Sequence, residues 1–217
     1  ETNTWESAWD AGNPHLERTF CDPIRDALSS DPPSLVARAV AEGLWALDAG
    51  TIFTPEEAIA RAYAMRERHT ELVVLCGPSG SGKSSWAREH YPDHQVISMD
   101  ALREAIAGDR ADQSENGRVF QAAQEELKVA LRALKPVVWD ATCLRHDTRR
   151  KLLSLGRDYG AHTTLAAFLI PPDQLARRNR DRPHPVPPNI LDRQIDAFEW
   201  PEPDEAHTQL VIDAAAR

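Results

Sequence analysis

Residues 77–84, GPSGSGKS, fit the spacing GxxxxGK[ST] without a gap. The chemistry this pattern serves is the gripping of a triphosphate. Glycines let the backbone turn until successive N–H groups face one point, and that concave ring of partial positive charge cradles a phosphate. Lys83 would neutralise the β- and γ-phosphates, and the Ser84 hydroxyl is the hard oxygen ligand that Mg²⁺ prefers. Gly77, Ser79, Gly80, Ser81, Gly82, Lys83, Ser84 and Ser85 are therefore the expected nucleotide-binding set, with ATP or another NTP and Mg²⁺ as ligands. The bland alternative is a glycine-rich turn with an incidental lysine. Against it, an apolar strand pattern ends at Cys76 and a helical pattern follows Lys83, as a phosphate loop requires.

Three other clusters carry charge at suggestive places. Asp100, in Ser98-Met99-Asp100-Ala101-Leu102-Arg103, follows a predicted strand, so its carboxylate falls at the sheet edge where open α/β folds bind ligands. There it can take the proton of an attacking hydroxyl, and Arg103, one helical turn on, can hold an acceptor phosphate. An Asp in that position is also a common helix N-cap. Asp140 ends the apolar run Val137-Val138-Trp139 and resembles a Walker B carboxylate supporting Mg²⁺. Thr142 and Arg145 follow it and join Asp100 and Arg103 as the expected acceptor side. Arg145, His146, Arg149, Arg150 and Lys151 form a basic cluster at the same edge, where at least two of the last three read equally well as a solvated helix face. Finally Arg177-Arg178-Asn179-Arg180-Asp181-Arg182 resembles the arginine lid of a small kinase; as a bland reading it is a charged helix end.

These groups need a frame that brings them to one edge. Short apolar runs at 72–76, 95–99, 136–139, 163–170 and 209–212 predict five buried strands. Between them 84–90, 101–107, 118–134, 147–159 and 189–198 read as helices; in the third, Phe120, Ala123, Leu127, Leu131 and Leu134 share a face. Such alternation predicts an α/β fold with a five-stranded parallel sheet flanked by helices, over residues 71–217. The prolines of PHPVPP, residues 183–188, favour a distinct loop after the arginine cluster. Residues 1–70 read as a helical extension or the tail of a preceding domain. Within them 35–47 has helical spacing, and Thr54-Pro55-Glu56-Glu57 is a capping box opening a second helix.

Composition narrows the classes. The net charge of −9 argues against coating long nucleic acid, though not against a local basic pocket. Cys21, Cys76 and Cys143 lie far apart, and neither they nor the eight scattered histidines have zinc spacing. That usage fits a reduced, cytoplasmic protein with no membrane segment, and residues 1–10 lack the pattern of a signal peptide. Glu1 fits a trimmed terminus or a domain cut from a longer chain.

Taken together, GPSGSGKSS, SMDALR, DQSENGRVF, WDAT and RNRDR with VPPNIL resemble the polynucleotide 5′-kinase domains of polynucleotide kinase-phosphatases and of RNA-repair and tRNA ligases. The resemblance spans about Leu72 to Ile212 and implies transfer of a γ-phosphate to a 5′-OH nucleic-acid end. It assigns Asp100 as general base, Arg103 as clamp on the acceptor's terminal 3′-phosphate group, Arg182 as the catalytic lid arginine beside Lys83, and Arg178 as a nucleotide contact. Cys143 departs from the family, which often has Asn after Asp-x-Thr. No DxD phosphatase or KxDG ligase motif is present, so any such partner domain is expected outside this chain. Two other readings remain: a small-molecule kinase of the antibiotic-modifying, nucleotide-sugar or zeta-toxin kind, and an NTP-driven switch, disfavoured by lid arginines in cis.

Overall fold

Every residue of the segment Leu72-Val73-Val74-Leu75-Cys76 is buried, and a strand with no polar side to show must lie inside a sheet covered on both faces. In the structure, a computed structural model that describes residues 2–5, 13–108, 116–182 and 185–215, this segment is the central strand. The chain order is β1 (Thr2–Trp5), α1 (Pro14–Leu16), a π-helical turn (Glu17–Cys21), α2 (Asp22–Ala27), α3 (Pro33–Asp48), α4 (Pro55–Met65) and a 3-10 turn (Arg66–Arg68). There follow β2 (Thr70–Cys76), α5 (Lys83–His90), β3 (Gln95–Ser98), α6 (Met99–Ala107), α7 (Asn116–Arg132), β4 (Val137–Asp140) and α8 (His146–Asp158). The chain ends with β5 (Ala161–Leu169), α9 (Pro172–Arg180), α10 (Pro188–Asp196) and β6 (Thr208–Asp213).

The sheet order is β1-β6-β5-β2-β4-β3, with every pair parallel except β1 on β6. Counted from β2, the parallel strands run 2-3-1-4-5, the five expected. The antiparallel edge strand β1 was not expected. Residues of β2 alternate between two cores: Leu72, Val74 and Cys76 pack with Leu127, Trp139 and Leu152, while Val73 and Leu75 pack with Trp86, Val138 and Phe168. That is the strand period of two expressed as two covered faces. Gly156 lets α8 lie directly on the sheet, since a Cβ there would come within 2.8 Å of Leu72 Cδ2 and 2.9 Å of Thr163 Cγ2.

A third core joins Phe20, Ile24, Leu28, Val40, Leu44, Ala58 and Ala62 of the leading helices. The capping box at Thr54 forms as read, with Glu57 Oε2 accepting from Thr54 N at 3.1 Å. Bonds cross the expected boundary near residue 70. The Ser34 hydroxyl donates to Glu71 Oε1 at 2.8 Å, which leaves His69 Nε2, also at 2.8 Å, to donate to it. Arg38 donates to the Gly160 carbonyl, and His207 stacks on Trp45 with centroids 5.1 Å apart and faces Glu42 at 3.3 Å. No described helix is long and apolar enough to cross a membrane.

Candidate functional site

The phosphate loop leaves the buried end of β2 and is fixed at its first residue, where Gly77 N–H donates to Thr142 O at 2.9 Å. A side chain at Gly77 would meet Phe168 Cβ at 3.0 Å and Ser81 Oγ at 3.1 Å. Gly80 and Gly82 take left-handed φ values of 87° and 94°, which curl the loop and deliver Lys83 to the first position of α5. Lys83 is buried, and its Nζ donates to Pro78 O at 2.8 Å, with Ser81 Oγ 3.5 Å away. Burial pushes its pKa down, against the opposing pull of Asp140, the two nearby thiols and Asp100. A buried ammonium held by one carbonyl is a cation still short of a counter-charge. Ser84 and Ser85 are exposed on the first turn of α5.

The neighbouring strands set the carboxylates. Ser98 on β3 pairs in register with Asp140 on β4, which places Asp100 two residues past that edge. Asp100 is not the N-cap of α6. Ser98 fills that place, its Oγ accepting from Ala101 N at 3.3 Å, which leaves the Asp100 carboxylate exposed and free of capping. Instead it pairs with Arg103, Nη1 to Oδ1 at 2.7 Å across one turn. Asp140, partly buried, acts on Lys83 ahead of Asp100 and the thiols.

The arginine segment divides by helix face. Arg177 and Arg180 of α9 are exposed, Arg177 pairing with Asp173 at 3.1 Å. Arg178 and Arg182 turn to the phosphate loop: a Cβ on Gly82 would lie 3.9 Å from Arg178 Nη1, and one on Gly80 3.8 Å from Arg182 Nη1. Arg178 also donates to Ala214 O at 2.7 Å. Arg182 Nη1 is buried with no hydrogen-bond partner among the described residues, an orphaned donor beside an anion cradle. Buried Asn179 bonds both backbone groups of Val186, at 2.7 and 2.9 Å, closing the loop into α10. Pro183 and His184 of that loop lie outside the described residues, as do Asp112, Gln113, Ser114 and Glu115 of DQSENGRVF.

The basic cluster after β4 divides. Arg150 and Lys151 are exposed, the two expected on a solvated face, whereas Arg149 is fully buried: Nε and Nη2 grip Glu205 at 2.7 and 2.8 Å, and Nη1 donates to Leu144 O at 2.8 Å. Arg145 is exposed at the start of α8, 3.7 Å from Glu199. Thr142 offers its carbonyl to the loop. Cys143 adopts φ 40°, a left-handed conformation that Asn tolerates better than most residues, and burial raises its thiol to about 12.

The structure thus gathers Lys83, Asp100, Asp140, Arg178 and Arg182 around one loop and sets Arg145 at a more exposed ion pair. It adds Gln194 of α10, whose Oε1 accepts from Ser79 N at 2.8 Å. No spacing rule singles out a glutamine on an amphipathic helix. The set fits a nucleoside triphosphate: a glycine cradle, the buried Lys83 ammonium, the orphaned Arg182 Nη1, and Arg178 close by. Ser84 and Asp140 are a hard-oxygen pair suited to Mg²⁺. Among the described residues no three His, Cys, Asp or Glu side chains gather as a metal cage, and Mg²⁺ bound through phosphates and water needs none.

A family model described as AAA domain matches residues 72–201. A comparison with curated proteins finds no match. Among solved structures, the chain is similar to one in the Pnkp1/Rnl/Hen1 RNA repair complex, with TM-score 0.54, 19% identity, and coverage of 59% of this chain and 44% of that one. It is also similar to a sugar kinase from Janibacter sp. HTCC2649 (TM-score 0.51, 23% identity, 67% of this chain and 86% of that). A third is Kti12 of Chaetomium thermophilum in complex with ADP-AlF3 (TM-score 0.50, 16% identity, 65% and 88%). The chain spans less than half the length of the RNA-repair chains it matches, at 44% and 38%. At these identities the likeness is one of fold. With the family model covering more than half of the chain, and the strand order and phosphate loop described above, the protein belongs to the AAA domain family and has the build of a P-loop kinase.

Proposed function

We propose that this protein transfers the γ-phosphate of ATP to the 5′-hydroxyl of a nucleic-acid end. The observation that carries the reading is the Asp100–Arg103 pair at the strand edge beside the phosphate loop, a carboxylate exposed to an acceptor and braced by a cation. In this reading Asp100 takes the proton as the acceptor oxygen attacks the γ-phosphorus; the new O–P bond forms, the bond to the bridging oxygen breaks, and ADP leaves with that electron pair. Lys83, Arg178 and Arg182 hold the phosphate oxygens while charge moves onto the leaving group. Ser84 and Asp140 would hold Mg²⁺, which would supply neutralisation of phosphate charge.

Support for a nucleic-acid acceptor comes from the motif resemblance and the likeness to the RNA repair complex. A second reading, a small-molecule kinase, is favoured by the net charge of −9 and by the 86% of the sugar kinase chain that the match covers. The test is to incubate the protein with γ-labelled ATP, Mg²⁺ and either a 5′-OH oligonucleotide, its 5′-phosphorylated form, or gluconate. Label is expected on the 5′-OH oligonucleotide alone, and Asp100→Ala is expected to lower kcat by about 10²–10⁴-fold with ATP binding retained. Label on the sugar acid alone would favour the second reading and sink the first.

A further inference from the structure

Ser79 lies at the turn of the phosphate loop, between Gly77 and Gly80, both at positive φ. That N–H donates to Gln194 Oε1 at 2.8 Å, a contact spanning 115 residues. The direction of the bond fixes the amide: a backbone N–H needs an acceptor, so the oxygen faces Ser79 and the NH₂ group is the other branch. The two branches share one carbon, so Nε2 falls within about 5 Å of the Ser79 nitrogen. On the adjacent residue, the orphaned Arg182 Nη1 lies 3.8 Å from where a Gly80 Cβ would be. Gln194 and Arg182 therefore approach the same turn from the segment that follows β5, one from α10 and one from the end of α9.

We propose that Gln194 is a terminal-phosphate contact: its Oε1 holds the Ser79 amide, and its NH₂ group donates to a γ-phosphate oxygen that Arg182 also holds. This rests on the nucleotide reading of the loop and is independent of the acceptor. A triphosphate has an oxygen for that NH₂ group, and a diphosphate has none in that place. Gln194 thus contributes to selection of ATP over ADP, and ties the seating of α10, joined to the lid through the Asn179–Val186 clasp, to the presence of the third phosphate.

The experiment is calorimetric titration of the wild type, Gln194→Glu and Gln194→Ala with ADP and with adenylyl imidodiphosphate, both with Mg²⁺, alongside thermal midpoints. Glu keeps an acceptor for Ser79 N–H, removes the donor and adds a like charge. It is expected to weaken the triphosphate analogue about 10–100-fold, the range of a hydrogen bond to a charged group, and to leave ADP within about threefold. Ala is expected to weaken the analogue about tenfold with a smaller effect on ADP. Equal losses of both nucleotides would make Gln194 merely structural, and unchanged affinity for both would remove it from the site; either overturns the proposal. If Ala fails to fold, Glu decides by the same ratio. A wild type that binds neither nucleotide would sink the nucleotide reading itself, an outcome distinct from those two.

Discussion

Asp100 and Arg103 hold each other at 2.7 Å while Arg103 is mostly shielded and Asp100 faces water. A half-exposed ion pair of this kind adds little stability, so in the proposed reading its arrangement serves aim more than folding. A carboxylate that accepts a proton from an incoming hydroxyl works only in a narrow range of positions, and a guanidinium one turn away narrows them. Arg103→Ala is expected to lower kcat on a 5′-OH oligonucleotide about 10–100-fold with KM for ATP within twofold, and Arg103→Lys to recover only part, because an ammonium lacks the planar fork. If Arg103 clamps the acceptor instead, the loss appears as a raised KM confined to acceptors carrying a terminal 3′-phosphate. Parallel loss of ATP affinity would remove Arg103 from the acceptor side altogether. At this scale the sequence was informative wherever a pattern is local: the phosphate loop and Asp-x-x-Arg both stand out by spacing. Gln194 does not, because its partner lies 115 residues away and its own helix gives no sign of it.

Among elements, α8 is anchored through Arg149, which binds Glu205 twice and the carbonyls of Leu144 and Glu199 at 2.8 and 3.0 Å. Glu205 also accepts from His146 at the start of the same helix. Burial pushes the Glu205 carboxyl up, but Arg149 and His146 outweigh it and hold the group below its ordinary range. Removing one partner leaves the other charge buried and unpaired, so Arg149→Ala is expected to cost about 3–5 kcal/mol in denaturant unfolding. Glu205→Ala should cost a similar amount, and the double variant less than the sum. A cost under about 1 kcal/mol for the single variants would show the pair to be idle. In sequence nothing tells Arg149 from the solvated Arg150 and Lys151, since its counter-charge sits in an irregular segment 56 residues on. The five parallel strands were legible because each is a short apolar run between turn residues. α9 was obscured by its arginines, although Pro172 stands at its start as a first-turn proline often does. The leading helices were obscured around Phe20 and Cys21, where a π turn breaks the 3.6-residue period that exposes a helix in sequence.

The molecule as a whole carries a set of buried histidines where the leading helices meet the sheet. His162 stacks on His207 at 5.6 Å, and burial, aided by the charge of His207, pushes its pKa down to about 3. Burial also lowers His207, against Glu42, and His69, against Glu71. A histidine with a depressed folded pKa stays neutral in the fold while the unfolded chain takes up a proton below about pH 6.5. Stability is therefore expected to fall as pH drops from 6.5, by between about 1 and 2 kcal/mol per pH unit from His162, with His207 and His69 acting in the same direction. Glu71, faced by His94 at 3.4 Å, hydrogen-bonded by Ser34 and lowered to about 2, adds a further loss between pH 4.5 and 2. Thermal midpoints at pH 7.5, 6.5, 5.5 and 4.5 check this; a flat profile down to 4.5 would contradict it, and His162→Asn should shallow the slope. The edge of the sheet has its own consequence. β6 would be an open margin of unpaired N–H and C=O groups were Thr2–Trp5 not laid antiparallel along it. Those four residues act as a selvedge: the margin passes from a six-residue strand to a four-residue one, and so short a border gives another chain less to be stitched to.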